Sequence, residues 1–500
     1  MLKPTRKDLM NILHNVGGVL MLLGLTMLIP LIISLAAGEW SSVLDFVICT
    51  SLTIGVGNLL YFGLPARGRV TWNQGLVIVA FSWFLAMLFS ALPLYLSGHF
   101  ASYLDACFDA MSGLTTTGLT LVHDLDHLAY GVNFWRHLTM FLGGQGIVIL
   151  AITYFVAGSS TAAQMYMGEA RDSIMPNVIE SSRFILKVSV FYLAVGTLSL
   201  GLCLLQQGMA PMRSFFQSSC LFMAGFSTGG FTPQALSIVY YHSLLVELVT
   251  IIFMVLGASN FAVQYEIWQR RPREFYRNIE TRVLSASLSV TLGLMLAGLI
   301  IVGVYSTFGV TVRRGAYQLI SGHSTTGFMT VYPTQMGMRW GEIALFVLII
   351  VMGLGGCACS TAGGIKALRV GIIFKSVNLK VKQALSPDSA VVKERIHHIK
   401  DFDVTEGLMG ATLIITLLYI GFYLLGALVG LFYGYGLNAS VFESVSAASN
   451  VGLTTGVTQY AMPWLLKAVY ILEMWVGRLE ILAVVVMFAY FINAIKRRQR

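Results

Sequence analysis

Four polar loops in an otherwise apolar sequence carry residue types that can replace the water around a small cation. In each, an aromatic residue is followed four positions later by Ser and six after that by Gly, with Leu or Phe next: Phe108, Ser112, Gly118; Phe215, Ser219, Gly225; Tyr317, Ser321, Gly327; Phe442, Ser446, Gly452. The glycines lie 107, 102 and 125 residues apart, an internal repeat. A dehydrated monovalent cation needs several oxygen ligands, and main-chain carbonyls supply them where the chain can turn them inward. Gly permits that turn because it tolerates positive φ. The loops read SGLTTTGL from Ser112, MAGFSTGG from Met223, STTGFMTV from Ser324 and SNVGLTTG from Ser449. None holds an acidic residue, which argues against a divalent-cation filter built on carboxylate rings and for a neutral carbonyl filter suited to K⁺. A single Gly in a polar loop is ordinarily a turn. Four at matching offsets, each behind a short helix, read as one pore. Tyr433, Gly434, Tyr435, Gly436 precedes its short helix instead and reads as a turn.

Such loops need a membrane frame. Of the 500 residues 56% are hydrophobic and 11% charged, where a soluble domain carries about 25% charged residues. Apolar stretches of roughly 20 residues predict about ten crossings, near 12–36, 42–65, 74–96, 134–157, 184–206, 240–266, 283–305, 341–355, 408–432 and 464–494. The first is too long for a signal-peptide core and reads as retained. The expected fold is an all-α polytopic membrane protein. Residues 1–71 form an N-terminal transmembrane hairpin, followed by four units at 72–179, 180–279, 280–402 and 403–500. Each unit reads span, short helix, polar loop, span, the third with a broken second helix and a cytoplasmic linker. The short helices, about 12 residues each, cannot cross and should be re-entrant; Ser102 and Asn438 are cap candidates. Open backbone at membrane depth is tolerated only where protein buries it or where it lines water, so the four loops should share an aqueous axis. The negative C-terminal ends of the helices would favour a cation there.

Positive charge falls on alternate connections: the N-terminus; Arg67 and Arg69; Arg171, Arg183 and Lys187; Arg270, Arg271, Arg273, Arg277 and Arg282; Lys366 to Lys400; and Lys496 to Arg500. These segments and both termini are therefore expected in the cytoplasm of an inner-membrane protein, with the loops facing out. Arg313 and Arg314 run against that rule. The formal charge of +9 reads as topology, not as a nucleic-acid surface. Six cysteines lack a disulfide framework, and Cys357 with Cys359 reads as tight packing rather than a metal pair. No phosphate-binding loop is present, so nucleotide control would come from another chain. The spans lack convergent acids, bases or metal ligands, which argues against a membrane-embedded enzyme.

The motifs SGLTTTG, GGQG at Gly143 to Gly146, AGFSTGG, STTGF, SNVGLTTG, GGCACSTAGGIK at Gly355 to Lys366 and MWVGRLEIL at Met474 to Leu482 resemble the membrane subunits of the Trk/Ktr/HKT potassium-transporter superfamily over nearly the whole chain. The resemblance implies one pseudo-fourfold pore per chain, a homodimer, K⁺ as the transported ion with no organic cofactor, and a cytosolic TrkA-like ring of nucleotide-binding subunits. By matching positions, the filter glycines would be Gly118, Gly225, Gly327 and Gly452, preceded by Thr116, Thr117, Met223, Ala224, Thr325, Thr326, Asn450 and Val451. Met223 and Ala224 lack the hydroxyls of loops one and three, a departure from fourfold symmetry.

After Gly341 to Leu354, the run Gly355, Gly356, Cys357, Ala358, Cys359, Ser360, Thr361, Ala362, Gly363, Gly364 interrupts the span before Lys366. A helix broken by small residues belongs beside protein or a cavity. The resemblance makes it an intramembrane gate under the filter. Arg478, alone in an apolar span, should face a cavity or a partner, either as an electrostatic barrier in the path or paired with Glu473 or Glu480. His323 reads as capping or packing, and Asp105, Asp109 and Glu443 as cation attractors at the outer mouth. A proton- or sodium-coupled K⁺ symporter is the nearest rival to a channel-like uptake path. It is distinguished by flux that requires a second ion gradient.

Overall fold

The computed structural model describes residues 5–64, 70–146, 178–387, 389–479 and 481–498. Arg67, Arg69, Arg171, Glu480 and the second half of the expected 134–157 span lie outside them. Thr5 and Asp8 form a capping box that starts α1 (Arg6–Thr26). The chain continues as α2 (Leu28–Ala37), stops at left-handed Gly38 and returns as α3 (Trp40–Gly63). Gly17 and Gly57 let α1 and α3 touch: a Cβ on Gly17 would stand 2.8 Å from the Gly57 carbonyl oxygen.

Four units of one plan follow. The first is α4 (Trp72–Leu96), the short α5 (Tyr103–Leu114) and α6 (Tyr130–Gln145). The second is α7 (Val178–Gln206), the short α8 (Pro211–Phe226) and α9 (Leu244–Ala258), which bends by 101° into α10 (Phe261–Trp268). After α11 (Arg273–Arg277) comes the third: α12 (Ile279–Val302), the short α13 (Phe308–His323), α14 (Pro333–Arg339) and α15 (Gly341–Gly353). α16 (Ala367–Ala384) leads to a two-stranded antiparallel hairpin, β1 (Arg395–His398) and β2 (Lys400–Asp403). The fourth is α17 (Glu406–Phe432), the short α18 (Leu437–Ala448) and α19 (Trp464–Leu479), which bends by 111° into α20 (Leu482–Arg498).

Among the described residues, six helices are long and apolar enough to cross a membrane, or eight if each bent pair is one span. The two further expected crossings are α6, which runs out of the described residues, and α15, which stops at the predicted break after 13 residues. Ser102 caps α5, accepting a hydrogen bond from the Asp105 amide at 3.2 Å. At α18 the cap position belongs to Gly436, two residues earlier than expected; Asn438 lies inside the helix and donates to Glu342.

The units close into a circle. α6 packs on α8, α9 on α13, α15 on α18, and α19 returns to α5. Three of these second helices press a glycine against the last carbonyl of their own short helix. A Cβ on Gly143 would stand 1.7 Å from the Leu114 oxygen, on Gly257 1.9 Å from that of Phe226, and on Gly477 2.0 Å from that of Ala448. No side chain fits there. Arg313 and Arg314, the exceptions to the charge rule, both meet Glu247, at 2.7 and 3.4 Å.

Candidate functional site

The four short helices end in the same way. The amides of Thr117, Gly229, Thr326 and Val451 donate to the carbonyls of Ser112, Ala224, Ser321 and Ser446 at 2.8–2.9 Å, and the residue before each donates to Gly113, Gly225, Gly322 or Ala447 at 3.0–3.2 Å. Those preceding residues, Thr116, Thr228, Thr325 and Asn450, are left-handed, with φ of 57°, 52°, 56° and 55°. This helix-ending motif ordinarily places Gly at the left-handed position.

Two residues further on, Gly118, Gly230, Gly327 and Gly452 also have positive φ, from 75° to 95°. A Cβ on Gly118 would lie 2.3 Å from the Gly229 oxygen, on Gly230 2.2 Å from that of Thr326, on Gly327 2.1 Å from that of Val451, and on Gly452 2.0 Å from that of Thr117. Each loop thus abuts the next, and the fourth abuts the first. The ring is main chain against main chain, and Asn450 Nδ2 ties its last joint by donating to Thr117 Oγ1 at 3.0 Å.

Of the residues expected here, Thr116, Thr117, Gly118, Thr325, Thr326, Gly327, Asn450, Val451 and Gly452 come together in the ring. Met223, Ala224 and Gly225 do not: they form the last turn of α8, and Thr228, Gly229 and Gly230 take the ring positions. Gly225 corresponds to Gly113 and Gly322, the in-helix glycines. At ring offsets the second unit has Cys220 where the others have Phe108, Tyr317 and Phe442, and Ala224 where they have Ser112, Ser321 and Ser446. The aromatic and Ser pattern therefore locks onto Phe215 and Ser219, five residues early. The signal common to all four is a hydroxyl residue, then Thr or Asn, any residue, Gly, and Leu or Phe. Thr228 restores the hydroxyl that Met223 and Ala224 lacked.

Carboxylates and an amide brace the segments leaving the ring. Asp109 accepts from Thr120 Oγ1 at 2.5 Å and from Arg136 Nε at 2.7 Å. The equivalent Gln318 accepts from the Thr330 amide at 3.3 Å. The equivalent Glu443 accepts from the Thr455 amide at 2.8 Å and the Thr454 and Thr458 hydroxyls at 2.5 and 2.6 Å. Asp105 is paired with Lys467 at 2.6 Å. All three acids expected at the outer mouth are therefore buried braces. His323 is buried as well, its Nε2 3.0 Å from Ser287 Oγ.

On the side of the ring lined by the left-handed residues lies the broken segment between α15 and α16. A Cβ on Gly355 would stand 1.8 Å from the Gly363 oxygen, so the two arms of this segment are pressed together. Cys357 and Thr361 amides donate to Ala258 and Gly257 carbonyls, both at 3.1 Å, and the Phe261 amide donates to Cys359 at 3.0 Å, joining this break to the one between α9 and α10. Ser360 Oγ donates to the Cys357 carbonyl at 2.6 Å, and Lys366 Nζ to that of Ala362. Thr361 Oγ1 is 3.1 Å from Thr228 Oγ1, the Gly363 amide donates to Thr325 Oγ1 at 2.9 Å, and Gly363 packs against Ser449 and Asn450.

Arg478 completes the contact. Its Nη1 donates to the Thr361 carbonyl and to Thr116 Oγ1 at 3.3 Å; its Nη2 donates to Gly143 and Gly144 carbonyls at 2.7 and 3.2 Å. A charge within a span costs ~2.5–3.5 kcal/mol on insertion scales, and charge-assisted hydrogen bonds to these oxygens offset it. Glu473 instead accepts from Ser444 Oγ at 2.8 Å.

Sequence and structure comparisons identify relatives of the whole chain. A relative from Halomonas elongata, the Trk system potassium uptake protein TrkH, is 31% identical over 512 residues, covering 96% of this chain and 98% of its own. An uncharacterized cation transporter of Methanocaldococcus jannaschii is 30% identical, with 97% and 96% covered. The crystal structure of the potassium transporter TrkH from Vibrio parahaemolyticus superposes with a TM-score of 0.81 at 22% identity, covering 96% of this chain and 98% of that one. Residues 44–495 match the TrkH model, described as a cation transport protein. The chain is therefore a multi-pass membrane protein that belongs to the TrkH family of cation transport proteins.

Proposed function

We propose that this protein takes up K⁺ across the cytoplasmic membrane, the ion passing along the axis of the ring set by Gly118, Gly230, Gly327 and Gly452. The closed cycle of glycine-to-carbonyl contacts carries this reading, because four loops that touch in succession and return to the first enclose an axis. Potassium uptake, for which the Halomonas relative is named, supports it. The ion exchanges hydration oxygens for main-chain carbonyls of residues such as Thr117, Gly229, Thr326 and Val451. The C-terminal ends of α5, α8, α13 and α18 add partial negative charge. An inside-negative potential of ~150 mV supplies ~3.5 kcal/mol per charge, so uptake needs no coupled ion.

The segment from Gly355 to Lys366 and Arg478 form the gate. The segment rests on Thr228 and Thr325, and Arg478 binds it while placing a positive charge beside Thr116. A cytosolic nucleotide-binding subunit moves the segment from the face that carries the β1–β2 hairpin, with both termini on that side and the chain assembled as a homodimer.

Reconstituted Rb⁺ or K⁺ flux measured against Na⁺ tests the reading. Gly327→Ser places atoms where the Val451 carbonyl now stands and should abolish flux or collapse selectivity. Wild-type rate and selectivity in that variant would contradict it.

A further inference from the structure

We propose that the carboxylate of Glu280 is the joint that couples the cytoplasmic β1–β2 hairpin to the broken intramembrane segment, a positioning role that deepens the gate reading above and rests on it.

Glu280 is fully buried in the first turn of α12. Its Oε1 accepts from the Ala358 amide at 2.5 Å, in the middle of the broken segment. Its Oε2 accepts from Asn260 Nδ2 at 2.9 Å, at the bend between α9 and α10, and lies 3.7 Å from His398 Nδ1 at the end of β1. One side chain thus touches the gate, the neighbouring break and the hairpin. Helix capping does not account for it, because Asn278 already caps α12 by accepting the Glu280 amide at 2.9 Å. The Asn278 side chain also lies 3.3 Å from His398 Nδ1, which fixes the imidazole against the joint.

The hairpin is anchored to what surrounds it. His397 Nε2 is 2.8 Å from Glu274 of α11, and Glu394 meets Lys375 and Lys382 of α16 at 2.6 and 2.7 Å. A displacement of the hairpin therefore reaches the broken segment twice, along the chain through α16 and sideways through His398 and Glu280. The segment also has somewhere to go. A half-open, mostly apolar cavity of about 160 Å³ borders Gly356 and Cys357, walled by Val255, Thr281, Leu284 and Leu288. Glu280 ties Ala358, next to the cavity-lining Cys357, to α12. Breaking the joint removes a charge-assisted hydrogen bond from a buried amide, a change of about tenfold or more in how often the segment leaves its seat.

The test reads the segment directly. Cys357 and Cys359 are buried within it, and Cys220 is buried in α8 as an internal control. A membrane-impermeant cationic thiol reagent is applied from the cytoplasmic side of oriented vesicles holding the full chain, and modification is quantified at each cysteine by peptide mass. Glu280→Ala should raise the rate at Cys357 and Cys359 about tenfold or more, His398→Ala should raise it in the same direction, and the double variant should not exceed Glu280→Ala. Cys220 should stay protected throughout. An unchanged rate in His398→Ala, or effects of the two substitutions that multiply, overturns the joint. Should Glu280→Ala expose Cys220 and so report a folding defect, His398→Ala on the cytoplasmic hairpin decides alone. Because the readout is independent of conduction, a raised Cys357 rate with unaltered Rb⁺ flux upholds the joint and counts against the gate.

Discussion

A threonine in the left-handed region costs roughly 1–2 kcal/mol that glycine does not, yet Thr116, Thr228 and Thr325 all hold that conformation at one structural position. Their hydroxyls explain why: each meets the broken segment or Arg478. Strain retained at a repeated position marks a functional constraint. Thr325→Gly should therefore leave stability within about 1 kcal/mol of wild type, as relieved strain and added chain entropy offset, while raising Rb⁺ leak because the Gly363 amide loses its acceptor. Thermal unfolding and flux on one preparation check both halves, and unchanged leak would contradict the assignment. Loops one and four were legible in the sequence because Ser112 and Ser446 hydroxyls each accept the ring glycine amide at 3.0 Å, which fixes the six-residue offset. Loop two was not, since Ala224 leaves no such mark and Gly225 imitates one. The partners of Arg478 were illegible for another reason: they are mostly main-chain carbonyls, which no residue type announces.

At the scale of elements, hydropathy marked the spans but not where they break. The apolar runs through α9 and α19 continue past Ser259 and Ile481, and only close-packed Gly257 and Gly477 show why each helix stops beneath its loop. The β1–β2 hairpin left no periodic signal at all, as it comprises four-residue strands held mainly by charge. Hydrogen bonds that the His397 ring donates to Glu274 and to Asp401 hold its pKa above the usual 6.5, opposed by desolvation and by the nearby Arg277 charge. A raised folded-state value means that docking is fully stabilised below the ordinary imidazole range and loses that contribution as pH rises through the raised value. The other anchor does not change in that window, because Lys375 and Lys382 lower the Glu394 carboxyl to about 2. Amide exchange in β1 and β2, corrected for intrinsic rates, should become faster between about pH 6 and pH 9, and His397→Gln should remove the difference. Equal protection at both pH values in wild type would contradict this.

At the scale of the molecule, four units arranged so that each second helix packs on the next short helix make a closed body around one axis. That plan was readable from repeat spacing and hydropathy, because a re-entrant segment must be flanked by two spans and its loop must be shielded from lipid. The register of its second quarter and the fate of its acids required coordinates: Asp109 and Glu443 look like free mouth charges until Arg136 and Thr454 return beside them. The claim on which everything rests is that the ring comprises Gly118, Gly230, Gly327 and Gly452 and that K⁺ crosses within it. Paired flux measurements on Gly230→Ala and Gly225→Ala in proteoliposomes test it most directly. Alanine at 230 would drive a Cβ to 2.2 Å from the Thr326 oxygen, whereas at 225 it meets only the edge of the Phe328 ring at 3.1 Å. The account predicts that Gly230→Ala abolishes K⁺ flux or its preference over Na⁺ while Gly225→Ala conducts selectively; the reverse order, or full selective flux through both, would contradict it.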